Sequence, residues 1–346
     1  MDVVNVGILG FAHGHVNAYC ARWRADESLG VRVTAGWDHD DARARKAREN
    51  HGLEICAAPS ELLARDDVDA VVVAAETSMH ADLVEQAAGA NKAVVLQKPM
   101  ALTMDQADRI VSAVEDAGVA FTMAWQMRVD AHNLKMKSLL AGGEFGKVYM
   151  VRRRHCLSTH LWKDFPKSWH VSAALNRDIF ADDASHAIDF IYWLRGMPVS
   201  VVAELGTLAG DKVPNDNGIA VFRYADGAFA EVSCTFVTPA GENTAEIVCE
   251  NGVIVGNYGD APSTAVRPPG APQLKWYLHQ QGRWTVSDIP EIRSQGERIA
   301  NLAAPLAEFL HGRRPAIATA QEGRTVLRLV LACYESAEQG RRILLK

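Results

Sequence analysis

The sequence predicts an α/β protein in which a doubly wound parallel sheet is followed by a second α/β part with a large, open, mostly antiparallel sheet. Short apolar runs alternate with helical segments over residues 1–124, as in parallel sheets with helices on both faces. After about Lys147 the segments alternate apolar and polar residues and are separated by the turn signals Asp226-Gly227 and Asn251-Gly252. The length of 346 residues suits two domains, which we place at residues 1–124 and 125–346.

The first elements form a βαβ unit. A strand over Val3–Leu9 leads into the turn Gly10–His15 and a helix from about Val16, and a second strand over Val31–Trp37 ends at Asp38. In dinucleotide sites such a carboxylate accepts hydrogen bonds from the adenosine ribose and repels a 2'-phosphate. The unit therefore predicts a Rossmann domain that binds NAD, with NADP less favoured.

The alternation continues through four further strands, and the third of these carries a lysine beyond its end. The predicted strands lie near Leu53–Cys56, Asp69–Ala75, Ala93–Leu96 and Ala120–Met123. The apolar run Ala93–Leu96 ends in Gln97, Lys98 and Pro99, which indicates a buried strand that delivers one amine to a sheet end, where ligands bind in open α/β sheets. The alternative is a solvated lysine that merely follows a strand.

The second part is predicted to combine seven strands with three helices. Predicted strands lie at Val148–Arg154, Val199–Gly206, Ile219–Tyr224, Ala228–Phe236, Ala245–Glu250, Val253–Gly256 and Lys275–His279, and predicted helices at Ala184–Leu194, Ile299–His311 and Gln321–Glu338. Pro305 is expected to kink its helix or to delay its start. A loop rich in Pro and Gly is expected at Pro262–Pro272. An antiparallel sheet with one uncovered face is either solvated or an interface, and we expect a homodimer or homotetramer formed through it.

Composition excludes several classes of partner. A net charge of -6 supplies no basic field for nucleic acid or an anionic membrane surface. The six cysteines are scattered without a CxxC pair, which suits reduced thiols in a cytoplasmic protein. No apolar run approaches the length of a transmembrane helix, and no secretory signal is visible.

Several segments in a fixed order resemble the glucose-fructose oxidoreductase, inositol dehydrogenase and rhizopine catabolism (Gfo/Idh/MocA) family over nearly the whole chain. They are Val6–Gly10, Asp38, Ala75–His80, Gln97–Pro99, Gln126–Arg128, Asp182–Asp189 and Glu335–Arg341. The most specific are the Lys98-Pro99 pair and the D-x-x-x-H-x-x-D pattern. The resemblance implies an NAD-binding Rossmann domain and a second domain for substrate binding and oligomerisation. It also implies oxidation or reduction of a secondary alcohol on a sugar, cyclitol or derivative.

The candidate catalytic residues are Lys98, Asp182 and His186. Removing hydride from a carbinol carbon requires a base within reach of the hydroxyl proton. Asp182 and His186 are spaced i and i+4, so on a helix they share one face and the carboxylate can orient the imidazole. The resemblance implies proton transfer and substrate positioning for all three. We expect His186 as general base, assisted by Asp182, with Lys98 holding the reacting oxygen and the nicotinamide ribose; Lys98 as the base stays open, as does a core role for His186.

The resemblance also implies a set of cofactor-binding residues. They are Gly10, Phe11, Ala12, His13, Asp38, Ala75, Glu76, His80, Gln97 and Lys98. A local capping role for His80 is the alternative. His13 and His15 form an H-x-H pair without a third ligand at readable spacing, so we expect no metal and instead one imidazole facing the pyrophosphate or the substrate cleft.

Two departures from the family pattern bear on the site. Gln97 replaces the usual glutamate and removes a negative charge beside Lys98, and Asn176-Arg177-Asp178 replaces a glycine triplet. Aromatic faces pack on sugar C–H surfaces and an arginine pairs with a carboxylate, so an anionic or glycosylated sugar is a hypothesis for the substrate. The candidate substrate residues are Arg128, His155, Trp169 and Arg177, with Trp162 and His160 nearby. A structural ion pair is the alternative for Arg128.

The sequence therefore predicts an NAD-dependent oxidoreductase that transfers hydride between the nicotinamide and a secondary hydroxyl of a sugar, sugar acid, glycoside or cyclitol. One alternative is a glycosidase or lyase that recycles NAD through transient oxidation and elimination. Another is a non-catalytic nucleotide-binding sensor, against which the joint presence of Lys98, Asp182 and His186 argues.

Overall fold

The computed structural model describes residues 3–210, 212–260 and 270–345, and these contain a six-stranded and a nine-stranded sheet. This confirms the predicted fold class. The chain divides into two compact units, the first comprising Met1–Gln126, Ala174–Asn176 and Arg298–Leu327 and the second comprising Met127–Ala173, Arg177–Glu297 and Arg328–Lys346. The division of roles between residues 1–124 and 125–346 stays a prediction. Most of the expected loop at Pro262–Pro272 lies outside the described residues.

The N-terminal elements alternate strand and helix as predicted. In chain order they are β1 (Val4–Leu9), α1 (His15–Ala25), β2 (Val31–Trp37), α2 (Asp41–His51), β3 (Glu54–Ile55), α3 (Pro59–Leu63), β4 (Ala70–Val73), α4 (His80–Gly89), β5 (Ala93–Leu96), α5 (Met104–Ala117) and β6 (Phe121–Met123). The strands pair in parallel in the order β3-β2-β1-β4-β5-β6. This is the order of a doubly wound dinucleotide-binding sheet.

Local chemistry explains where these elements begin and end. Strands β4 and β5 consist almost entirely of buried apolar residues, as expected when helices cover both faces. Helix α5 begins where the Thr103 hydroxyl accepts a hydrogen bond from the Gln106 amide, and it ends at Gly118 in a left-handed conformation. Helix α2 is capped by Asp40 and ends at Gly52 in the same manner.

The turn after β1 requires a glycine. Gly10 has a φ of +90, and a Cβ atom there would lie 2.4 Å from the Cα of Ala75. No L side chain fits so close to the segment that follows β4. The bare backbone of this turn therefore lies against the end of β4.

The remaining elements build the second sheet and the closing helices. In chain order they are α6 (Ala131–Ala141), β7 (Val148–Cys156), α7 (Ser185–Arg195), β8 (Ser200–Gly206), β9 (Asn217–Arg223), β10 (Phe229–Thr235), β11 (Glu242–Cys249), β12 (Gly252–Asp260), β13 (Leu274–Leu278), β14 (Arg283–Val286), α8 (Gln295–Ala300), α9 (Ala303–Leu310), α10 (Ala320–Gln339) and β15 (Ile343–Leu344). The sheet order is β14-β13-β12-β11-β7-β10-β9-β8-β15, and only the β7 and β10 pair is parallel.

Several of these elements differ from their predicted form. Helix α6 and strands β14 and β15 were not predicted. The helix expected at Ile299–His311 is two helices, α8 and α9, and Pro305 lies in the first turn of α9, where a missing amide hydrogen is tolerated. A π-helical turn, Phe180–Ala184, precedes α7. The Asp226-Gly227 and Asn251-Gly252 turns are confirmed between their strands.

One face of the second sheet carries apolar side chains at the surface. Burial alternates along β8, β9 and β10, and the exposed positions include Val202, Ile219, Val221 and Phe229. Val202 and Val221 are cross-strand neighbours, whereas Ile219 lies opposite Glu204 and Phe229 lies opposite Arg223.

Two properties bear on the expected cellular environment. All six cysteines are free and buried. Among the described residues no helix combines the length and apolarity needed to span a membrane.

Candidate functional site

The carboxylate of Asp38, at the end of β2, accepts four hydrogen bonds. Its Oδ2 accepts from the Phe11 amide at 2.7 Å and from Arg43 Nε at 3.0 Å, and its Oδ1 accepts from the Asp40 amide at 2.8 Å and from Arg43 Nη2 at 2.9 Å. A carboxylate offers about four lone-pair positions, so these donors fill it. A ribose hydroxyl can engage Asp38 only by sharing or replacing one of them.

Arg43 joins this carboxylate to a second one. Its Nη2 also donates to Glu76 Oε1 at 2.7 Å, and Glu76 Oε2 lies 3.0 Å from His39 Nε2. The side chains of Asp38 and Glu76 are almost fully buried, whereas that of Arg43 is 26% exposed. One partly exposed cation thus compensates two buried anions.

The segment after β5 presents Gln97 and Lys98. Strand β5 ends at Leu96, and Lys98, which is buried, precedes a cis peptide bond to Pro99. Gln97 donates through Nε2 to the Tyr19 hydroxyl at 2.6 Å. Among the described residues its buried Oε1 has no hydrogen-bond partner. An acceptor of this kind calls for a donor from a bound molecule.

His80 connects the turns that follow β4 and β5. Its Nδ1 lies 3.0 Å from the carbonyl oxygen of Pro99, and its Nε2 lies 3.2 Å from that of Ala75. Burial lowers the pKa of this imidazole below its ordinary value, although the surrounding carbonyls oppose the shift. The contacts give His80 a structural role in the turn that carries Lys98; its predicted contact with the cofactor stays a prediction.

The glycine-rich turn contains the paired imidazoles of His13 and His15. Their rings lie edge to face with centroids 4.4 Å apart, and His13 is buried. Within the described residues no group of three or more His, Cys, Asp or Glu side chains is placed to hold a metal ion.

These residues of the first unit fit a dinucleotide. The backbone at Gly10 is bare where a Cβ would clash, and the Oε1 of Gln97 awaits a donor. The pattern of parallel strands, glycine turn and carboxylate after β2 is that of a nucleotide site.

In the second unit, the π-helical turn before α7 carries two adjacent carboxylates. Asp178 begins the turn by accepting a hydrogen bond from the Ala181 amide at 2.9 Å. Asp182 and His186 are both buried. Asp182 Oδ2 lies 3.8 Å from His170 Nε2, and Asp183 Oδ1 lies 3.8 Å from His186 Nε2. Single π turns inside helices are frequent at functional sites.

Imidazoles and aromatic rings surround this turn. His155, at the end of β7, places Nε2 3.3 Å from Asp183 Oδ1. Trp169 stacks on His170 with ring centroids 4.0 Å apart, and His170 stacks in turn on Phe165 at 5.5 Å. The structure therefore brings predicted residues His155 and Trp169 to the neighbourhood of Asp182 and His186 through contacts within the second unit.

Arg128 is committed to an ion pair. Its Nη2 and Nε lie 2.7 Å and 3.0 Å from Asp189 Oδ1, and both side chains are buried. This is the structural ion pair that was the alternative role for Arg128. Contact between Arg128 and substrate stays a prediction.

The segment that replaces the glycine triplet has a left-handed residue at its centre. Arg177 has a φ of 73, which explains why glycine suits this position. Its guanidinium lies 4.2 Å from the ring centroid of Tyr334, whose hydroxyl donates to Asp178. Burial, followed by the charge of Asp178, raises the pKa of Tyr334 well above its ordinary value. Asn176 instead accepts a hydrogen bond from the Thr77 hydroxyl at 2.6 Å within the first unit.

Comparison with known families agrees with this geometry. A model of an oxidoreductase family with an NAD-binding Rossmann fold matches residues 3–125, and a model of the GFO/IDH/MocA C-terminal domain matches residues 133–255. The chain belongs to the Gfo/Idh/MocA family. This confirms the resemblance seen in the sequence and makes the chain an NAD-binding oxidoreductase.

Three known proteins align with almost the full length of this chain. Inositol 2-dehydrogenase 2 of Paenarthrobacter aurescens (strain TC1) is 27% identical over 352 residues, which cover 97% of this chain and 95% of that protein. The WlbA dehydrogenase of Bordetella pertussis in complex with NADH and UDP-GlcNAcA has a TM-score of 0.82 at 23% identity and covers 99% of both chains. Levoglucosan dehydrogenase in complex with NADH and levoglucosan has a TM-score of 0.82 at 19% identity with the same coverage. The two structures show a shared fold.

Sequence reasoning missed three residues of this Gfo/Idh/MocA protein. Arg43 lies on the first turn of α2, and its pairing with Asp38 joins that helix to the end of β2. Asp183 was missed because the residue before it, Asp182, fits the D-x-x-x-H spacing to His186. His170 carried no periodic signal, since it lies in a loop of short 3-10 turns.

Proposed function

We propose that this protein is an NAD-dependent dehydrogenase that oxidises a secondary hydroxyl of a sugar, sugar acid, glycoside or cyclitol. The observation that carries the proposal is that Asp182 and His186 are both buried on one π-to-α turn, among imidazoles and aromatic rings. Burying a carboxylate costs free energy unless it is paired. Clusters of buried carboxylates and imidazoles concentrate at functional sites, including sites of proton transfer.

In the proposed reaction the substrate loses a hydride from its carbinol carbon and a proton from its hydroxyl oxygen. NAD, when bound, supplies the hydride acceptor. His186 takes the hydroxyl proton, and the charge of Asp182 favours the imidazolium that results. Lys98 holds the reacting oxygen and the nicotinamide ribose. Family resemblance leaves Lys98 as the alternative base.

The substrate class rests on shape and on the relatives. Trp169 is half-buried and stacks on His170, and it offers an aromatic surface on which sugar C–H groups can pack. The relatives are named for inositol and levoglucosan, both carrying ring secondary hydroxyls. The Arg177 guanidinium lies over the Tyr334 ring, which holds it in place. An anionic substituent on the substrate would pair with this guanidinium.

We also propose that the protein is a homodimer or homotetramer. The uncovered face of the second sheet exposes the cross-strand neighbours Val202 and Val221 together with Ile219 and Phe229. Apolar side chains grouped at a protein surface mark interfaces. A sheet-on-sheet contact would cover them.

The catalytic proposal is tested by NADH absorbance with purified protein, NAD and a panel of aldoses, uronic acids, glycosides and inositols. We expect NADH to accumulate with one substrate group and turnover to fall by at least about a hundredfold in His186→Gln and Asp182→Asn, the range of general acid–base contributions. His279→Gln, at an exposed histidine, is the matched control. Substrate consumption without net NADH would favour a glycosidase or lyase that recycles NAD, and binding without consumption would favour a sensor.

A further inference from the structure

Asp183 lies between two imidazoles. Its Oδ1 is 3.3 Å from Nε2 of His155 and 3.8 Å from Nε2 of His186. The two rings have centroids 6.0 Å apart. The first distance is that of a hydrogen bond and the second that of an ion pair, so one carboxylate oxygen serves both rings.

The three residues come from different elements of the second unit, and each is largely shielded from water. His155 is the penultimate residue of β7, Asp183 belongs to the π-helical turn and His186 lies in the first turn of α7. The side-chain exposures are 13%, 19% and 4%, respectively. At such sites the effective dielectric constant is far below that of water, so charges within 4–6 Å shift one another's protonation strongly.

Other charged groups lie near His186 on α7 and on the elements packed against it; on α7 itself Asp189, one turn further on, is paired with Arg128. These elements are β7, β10 and the π-helical turn, and their titratable or charged groups on this side are Arg153, His155, Asp182, Asp183 and Cys234, with His170 reached through Asp182. Burial raises the pKa of the Cys234 thiol well above its ordinary value, so this group stays uncharged. Arg153 directs its guanidinium over Tyr258 at 4.3 Å and donates to the Thr244 carbonyl.

We propose that Asp183 is a positioning residue that sets the basicity of His186 and divides its negative charge between His186 and His155. The proposal rests on the assignment of His186 as general base. It assigns no contact with substrate to Asp183, which acts only through the two imidazoles.

The arrangement makes Asp183 and His155 act on His186 in opposite directions. The Asp183 carboxylate favours a protonated His186, because the two charges attract at 3.8 Å. The His155 ring opposes this effect, since it draws on the same carboxylate oxygen and its centroid lies 6.0 Å from that of His186. Removing Asp183 should therefore lower the pH at which His186 titrates, and removing the competing His155 ring should raise it.

The test is a titration of the histidine side chains by proton–nitrogen NMR in the full-length protein, together with the pH dependence of kcat/KM. The variants are Asp183→Asn and His155→Gln, which keep hydrogen-bonding groups of similar size. Glu204→Gln, at an exposed carboxylate on β8, is the control for loss of charge. The His186→Gln spectrum identifies the His186 signals among the 12 histidines.

We expect the titration midpoint of His186 to fall by about one pH unit or more in Asp183→Asn and to rise in His155→Gln, with the acid limb of kcat/KM moving in the same directions. Shifts of the same sign in both variants, or midpoints that match the Glu204→Gln control, would overturn the inference. The NMR titration does not depend on turnover. If its shifts appear as expected while His186→Gln keeps full activity, the charge coupling stands and the base assignment fails.

Discussion

Arg43 grips both carboxylate oxygens of Asp38, with Nε 3.0 Å from Oδ2 and Nη2 2.9 Å from Oδ1. The same Nη2 also donates to Glu76. Asp38, the carboxylate expected to bind the adenosine ribose, is therefore already paired with a cation of the protein itself. We expect the choice between NAD and NADP to depend on these three side chains, because Arg43 offsets the negative charge that Asp38 and Glu76 carry.

We expect Arg43→Leu to destabilise the protein and to change NADH binding, because it frees two acceptor positions on Asp38 and leaves two buried carboxylates without their cation. Breaking a buried ion pair from one side costs about 3–5 kcal/mol, and the partial exposure of Arg43 reduces this to about 1–3 kcal/mol. The readouts are the NADH dissociation constant by calorimetry and the midpoint of urea unfolding. Arg45→Leu, at an exposed arginine on the same helix, is the matched control. Equal NADH binding by the two variants would show that Arg43 has no part in the cofactor site.

A second prediction concerns the buried pair Arg128 and Asp189. Arg128→Met should lower the free energy of unfolding by about 3–5 kcal/mol, because Asp189 is left charged and buried without its cation. The double variant Arg128→Met with Asp189→Leu should recover much of that loss. Arg152→Met, which removes a half-exposed pair with Glu246, should cost no more than about 1 kcal/mol. A double variant as unstable as the single one would indicate that Arg128 contributes by packing.

A third prediction concerns acid sensitivity. Burial lowers the pKa of His80, so below about pH 6.5 the unfolded chain binds a proton there that the folded chain does not. Stability is therefore full above that pH and falls as the pH falls. We expect His80→Gln to flatten the decline in thermal midpoint between neutral and mildly acidic pH. His279→Gln should leave the decline in thermal midpoint with pH as it is in the wild type. If His80→Gln also leaves it unchanged, the acid sensitivity comes from other groups.

A fourth prediction concerns assembly. Ile219→Arg adds a charge to the exposed face of the second sheet that carries Val202 and Val221, and it should convert the oligomer to monomer, as measured by light scattering on a sizing column. Leu134→Arg alters an equally apolar exposed position on α6 and should leave the mass unchanged. If wild-type protein is already a monomer at micromolar concentration, this face is not an oligomer interface.

The parts of the fold that sequence predicted best are those whose signal is local. Helix α5 has such a signal, because a threonine cap and a terminal glycine flank an amphipathic run. Helix α6 was missed because its buried residues, His132, Asn133 and Met136, form no apolar stripe. Strand β15 was missed because two residues become a strand only through pairing with β8.

The candidate site divides in the same way. The motif residues Lys98, Asp182 and His186 could be identified from order and spacing, and the fold class and family followed. The contacts of Asp183 and Arg43 could not, because they join elements that are separated along the chain and depend on side-chain direction. The π turn that sets Asp182 and Asp183 side by side adds a residue to a helical turn, which helical periodicity does not predict.

The measurement that tests the central claim most directly is NADH formation by wild-type protein and by His186→Gln with the same ring polyol or sugar substrate. The account predicts stoichiometric NADH from the wild-type enzyme and a loss of at least about a hundredfold in kcat for the variant, with NADH binding retained. Unchanged NADH formation by His186→Gln would contradict the assignment of the base, and substrate turnover without net NADH would contradict the dehydrogenase itself.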